Sequence, residues 1–162
     1  MVDTMITLHE STEMSFTTNG LGALSDAITC EVTEERNGEF ELEMEYPVTG
    51  IRYKELQLRR IIMAKPNPYS DPQPFRIYAI TKPINGIVTI NAEHISYDMS
   101  GYPVSAFAAD TVQNAFINMK SASAVDCPFS FSTDKITTAN MTVLKPSSMR
   151  SLPNRPILPP FW

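Results

Sequence analysis

Cysteine is scarce in this chain. Cys30 and Cys127 stand far apart in sequence, so two reduced thiols are expected rather than a disulfide. No apolar run approaches the roughly 18 residues of a membrane-spanning helix. The opening MVDTMITLHE has no basic stretch followed by an apolar one, so no secretion signal is expected, and synthesis and folding in the cytoplasm follow. A basic stripe is also missing, which argues against a sequence-specific nucleic-acid binder. Histidine occurs only at His9 and His94. There is no phosphate-cradling Gly loop with a Lys, no paired-Cys metal set and no His-Glu-x-x-His helix, so neither a cofactor nor catalysis is expected. A Cys127 nucleophile with His94 as its base is the one pairing available, and a buried thiol beside an unrelated strand-end His is the preferred reading.

Hydrophobic residues make up 43% of the 162 positions, enough for a globular core. The best-specified stretch is AITCEVTEERNGEFELEMEYPVTG, residues 27–50, where apolar and polar residues alternate with period two on both sides of Asn37-Gly38. The expected inward residues are Ile28, Cys30 and Val32 on one strand and Phe40, Leu42, Met44 and Tyr46 on the other. A two-residue type I′ turn would set Val32 against Glu43 and mix the faces. A three-residue loop, Arg36-Asn37-Gly38, pairs Glu34 with Phe40, Val32 with Leu42, Cys30 with Met44 and Ile28 with Tyr46. Gly38 then takes the position of a G1 bulge that needs left-handed backbone.

The whole chain carries −5, while residues 31–45 hold seven Glu and one Arg, so the acidity is local to this hairpin. Glu39, Glu41, Glu43 and Glu45 line the face opposite the apolar one. They form either an ordinary solvated sheet face or an acidic wall that repels polynucleotide, as suits a conduit through which DNA slides.

Thr4–Leu8 is expected as a short first strand, Gly20–Gly22 as a turn, Leu56–Ala64 as a strand and the proline-rich 65–74 as a surface loop. A second hairpin is expected to pair Phe75–Lys82 with Ile87–His94 about a two-residue turn at Asn85-Gly86, placing Ile77, Ala79 and Thr81 with His94, Ala92 and Ile90. Five or six mostly antiparallel strands by residue 94 imply a small β-barrel or sandwich over residues 1–95. After that the pattern changes. Asp110 is expected to cap a helix of about ten residues with an apolar stripe at Val112, Ala115, Phe116 and Met119. Strands are expected at Phe129–Ser132 and Ile136–Leu144, and a helix from Ser147 that the prolines of 153–162 cut off. Residues 96–152 therefore read as the start of an α+β domain, with its helix stripe left uncovered.

Three stretches, GLGALSDAITCEVTEERNGEFELEMEYPVTG, LQLRRIIMAKPNPYSDPQPFRIYAITKPINGIVTINAEHISYDMSG, and PFSFSTDK with KPSSMRSL, resemble the N-terminal part of phage tail proteins variously called prophage endopeptidase tail, tail-associated lysin or minor structural protein. The resemblance spans roughly residues 4–152. It implies a mainly β fold, an N-terminal β-barrel of a baseplate hub at the virion tail tip, assembled in the host cytoplasm. It also implies a homotrimer around the DNA channel, docked on the distal tail protein and near the tape measure protein. Where members of this family continue through a Gly-rich segment, this sequence reads PNRPILPPFW, the pattern of a frameshift or truncation. The competing expectations are a tail-associated endopeptidase lacking its catalytic domain in this chain, and a small β-barrel adaptor that binds another protein.

Overall fold

In a computed structural model, residues 5–35, 38–135, 138–143 and 147–148 are described. The chain divides into two compact units, Met1–Ile95 and Ser96–Trp162.

The first unit is a curled, half-barrel sheet of seven antiparallel strands. In chain order these are β1 (Thr7–His9), β2 (Gly22–Ala23), β3 (Thr29–Glu34), β4 (Phe40–Pro47), β5 (Ile61–Ala64), β6 (Gln73–Ile80) and β7 (Ile87–His94). Their spatial order is β2-β1-β5-β6-β7-β4-β3. Among the described residues β2 and β3 remain unpaired edges, so the expected barrel stands open. The inner face buries Leu8, Leu42, Met44, Tyr46, Ile62, Phe75, Ile77, Val88 and Ile90, each at most 1% exposed.

The first hairpin has the register that face parity requires: Cys30 pairs with Met44, Val32 with Leu42 and Glu34 with Phe40. Arg36 and Asn37, the tip of its loop, lie outside the described residues. The Glu35 N–H donates to the Glu39 carbonyl and the Gly38 N–H to the Glu35 carbonyl, which closes the loop at three residues, but left-handed φ is found at Gly20, Gly22 and Gly86 and not at Gly38, so the left-handed backbone expected of a G1 bulge there is not seen. Ile28 departs from expectation. It lies just before β3 at the sheet edge and is 51% exposed.

The second hairpin turns as expected at Asn85 (φ 52°) and Gly86 (φ 79°), both left-handed as type I′ demands, between the mutually bonded Ile84 and Ile87. Its further register is corrected. The pairing slips twice: Ile80 already lies opposite Ile90 and Ala79 opposite Asn91, one place off the register that the turn sets, and a further extra residue, Tyr78, bulges out of β6 before Ile77 pairs with Ala92. His94 accordingly faces Phe75 rather than Ile77, and Ile80, not Thr81, packs towards the core.

Other boundaries also move. Thr4 is outside the described residues, and the first strand runs on to His9. The strand expected from Leu56 starts only at Ile61, because Arg59 adopts a left-handed φ of 71°, which breaks an extended run. Gln73 and Pro74, expected in the loop, begin β6.

The second unit holds β8 (Pro103–Val104), β9 (Phe107–Thr111), α1 (Val112–Ser121), β10 (Thr138–Val143) and β11 (Ser147–Ser148). β9 pairs with β10 and β8 with β11, both antiparallel. The helix cap is Thr111, whose Oγ1 accepts the Asn114 N–H at 3.1 Å; Asp110 instead accepts from the Asn114 side chain at 2.7 Å. Thr111 is the residue with extended backbone (φ −130°, ψ 160°) that a cap requires. Ala115, Phe116 and Met119 are buried as the stripe predicts. They are not left uncovered: Phe116 and Met119 share a core with Met99, Val104, Cys127 and Val143. Phe129 and Phe131 lend side chains to that core without forming a strand. Ser147 begins a strand rather than capping a helix. Ile136 and residues 149–162 lie outside the described residues.

Candidate functional site

β4 is an interior strand one place in from the sheet edge, with β3 on one side and β7 on the other, so its outward residues have neighbours on both sides of the sheet's solvent face. Glu43 and Glu39 are exposed, Glu41 and Glu45 half-buried. The register adds two carboxylates that the run along β4 does not reveal. Glu31 of β3 lies directly across from Glu43, and Glu93 of β7 directly across from Glu41. Thr33, Thr29, Asn91 and Thr89 complete the cross-strand positions, and Arg76 of β6 is paired with Glu93.

The hydroxyl of Tyr78 reports this charge. It donates to Glu41 Oε2 at 3.0 Å, and its ionisation is pushed above the ordinary tyrosine range first by burial, then by that hydrogen bond and by the charges of Glu41, Glu93 and Glu39. Tyr78 is the bulged residue of β6 and presents its hydroxyl on this face. What the arrangement does chemically is present a broad negative surface with a hydrogen-bonding rim. Like charges directly opposite in a ladder oppose folding, so this face carries a local cost in stability.

A second constellation was missed by reasoning from sequence. Thr7 and His9, two apart on β1, share the sheet face opposite Leu8, and the segment following β1 folds back over them. His9 is fully buried. Its Nε2 lies 2.9 Å from Thr7 Oγ1, and its Nδ1 lies 3.0 Å from Glu13 Oε1, off the line of a formed hydrogen bond. Phe16 meets the imidazole edge-on at 5.2 Å, and Gly20 (φ 54°) passes so close that a Cβ there would fall 2.5 Å from Nδ1. Arg60 on Glu10 and Arg76 on the Ser11 carbonyl tie the segment to the sheet. The detectable signal is Thr-x-His at the start of a strand; the return of Glu13 is not readable from spacing.

The remaining candidates are structural. His94 stacks on Phe40 at 4.4 Å in the first unit, whereas Cys127 is buried in the core of the second. Cys30 is a free thiol pushed up to about 11 by burial and then by the charge of Glu31, which removes nucleophilic character at neutral pH. Tyr46, buried in the core, donates its hydroxyl to Asp26 and accepts the Arg52 N–H, both at 3.3 Å, bracing the 47–56 connection. Among the described residues no three His, Cys, Asp or Glu side chains converge to hold a metal, and no helix is long and apolar enough to cross a membrane. No family model, curated protein or solved structure matches the chain.

Proposed function

We propose that the chain is a structural subunit of a phage tail-tip or baseplate hub, which assembles with copies of itself around the tail channel and docks on the distal tail protein. The observation that carries this reading is the acidic face. Glu31, Glu41, Glu43, Glu45 and Glu93 gather from three strands onto one side of the sheet, where a conduit for DNA needs a surface that repels phosphate and lets the polymer slide. The sequence resemblance in residues 4–152 points the same way. The chain contributes no wall-cleaving chemistry in this reading, and its nearest contacts are a second copy, the distal tail protein and the tape measure protein.

Light scattering of the purified chain mixed with the distal tail protein tests it. A defined complex supports the hub, and a chain that stays apart from that protein refutes it. Cell-wall zymography separates this role from an endopeptidase: the hub leaves peptidoglycan intact, and a cleared band would replace the reading with a lytic one.

A further inference from the structure

Thr7, His9 and Glu13 stand in the order hydroxyl, imidazole, carboxylate. A carboxylate beside Nδ1 favours the tautomer with its proton on that nitrogen, and Nε2 is then the acceptor for the Thr7 hydroxyl at 2.9 Å. That is the arrangement by which a weak alcohol becomes a nucleophile: a base within hydrogen-bond reach, itself held by a third group. The Glu13 contact, at 3.0 Å but off-line, is of the kind that tightens when substrate is bound. Two of the three also face open space. Thr7 and His9 line a cavity of about 290 Å³ whose wall includes Asn19 and Lys65 as donors and Met63 and Phe16 as apolar surface. Lys65 lies two residues beyond Met63, the cross-strand partner of Thr7, and so follows the same sheet face.

We propose that this cavity is an acyl-transfer site for small carboxylic esters, with Thr7 as the catalytic nucleophile, His9 as its general base and Glu13 as the residue that positions His9. Thr7 Oγ1 bonds to the ester carbonyl carbon as His9 Nε2 takes the hydroxyl proton. The bond from that carbon to the alcohol oxygen breaks, and the alcohol leaves with the proton from His9. Water then attacks the acyl-threonine, giving its proton through His9 to Thr7, and the carboxylic acid departs. No oxidant or further reactant is needed. This site lies apart from the acidic face and does not depend on the hub reading.

The full chain, incubated with p-nitrophenyl acetate, is expected to release a burst of nitrophenolate and to carry one acetyl group that peptide mapping places on Thr7. Thr7→Val abolishes both. Glu13→Gln, at a partly exposed position, slows acylation at least tenfold with the KM for the ester unchanged, a split that mere loosening of the loop would not produce. Glu13→Gln also carries the test if Thr7→Val fails to fold. Acetyl groups found only on lysines, no burst from the folded wild-type chain, or a rate that Glu13→Gln leaves unchanged would overturn the proposal, leaving the trio as a strut that ties the 10–19 segment to the sheet.

Discussion

Glu43→Gln is expected to stabilise the first unit, although it deletes a charge from a well-formed strand. Glu43 faces Glu31 across the β3–β4 ladder and the neutral Asn91 across the β4–β7 ladder. Directly opposed residues hold their Cβ atoms about 5 Å apart. Two carboxylates splayed to about 6 Å in solvent repel by about 0.7 kcal/mol, and physiological salt roughly halves this. Glu41 and Glu45 add little to the difference, because residues two apart in sequence also lie close in the unfolded chain. The net gain is therefore about 0.3–0.7 kcal/mol at low ionic strength, fading towards zero at about 1 M salt, where the screening length is about 3 Å. Urea unfolding of wild type, Glu43→Gln, Glu31→Gln and the double variant at two salt concentrations measures it. The two single gains should not add, since either one removes the same repulsion. A destabilised Glu43→Gln, a gain that survives high salt, or fully additive gains would refute the reasoning.

Thr111→Ala should cost the second unit about 1 kcal/mol and Asp110→Ala less, as read by thermal melting; the opposite order would return the cap to Asp110. Cys30 makes stability fall in alkali: between its ordinary value of 9.0 and about 11 the unfolded chain releases the thiol proton while the folded chain keeps it. The loss begins near pH 9, is complete above 11 and is at most about 3 kcal/mol. Cys30→Ala should flatten that part of the pH profile, and a parallel profile would contradict it. Gly20→Ala, forced into left-handed backbone with its Cβ 2.6 Å from the Leu8 carbonyl oxygen, should cost about 1 kcal/mol or more, and an unshifted melting temperature would refute the strain. Gly38→Val should likewise cost about 1 kcal/mol or more, because its Cβ would fall 2.7 Å from the Glu35 Cβ, a clash that Glu35→Ala leaves in place; an unshifted melting temperature would refute it.

The first hairpin's register and the second hairpin's turn were legible because their information is local: alternation shows which side chains share a face, and a turn of known length converts that into partners as long as neither strand carries an extra residue. Val32 against Leu42 follows from the sequence between them alone. Tyr78 shows where this stops. Nothing in Phe75–Lys82 marks an extra residue, yet the pairing has slipped by one at Ile80 and by two beyond Tyr78, and the slips become visible only against β7. Asp110 and Thr111 are adjacent and both competent to cap, and the backbone angle that chooses between them is a product of β9. The stripe on α1 could be read, but its cover could not, since Val104, Cys127 and Val143 arrive from distant segments. Of the acidic face, four carboxylates were visible along one strand. Glu31 and Glu93 needed the ladder, and the trio at Thr7 needed the path of a loop.

The order β2-β1-β5-β6-β7-β4-β3 also imposes a timetable on synthesis. β3 can close on β4 and β6 on β7 as soon as each turn clears the ribosome. β1, however, waits for β5, roughly 50 residues later, and at about 5–20 residues per second that delay is about 3–10 seconds. β4 waits comparably for β7. Through that interval Leu8 and the alternate apolar side chains of β3 and β4 have no sheet to lie in, and the nascent chain must stay soluble on the charge of its own glutamates.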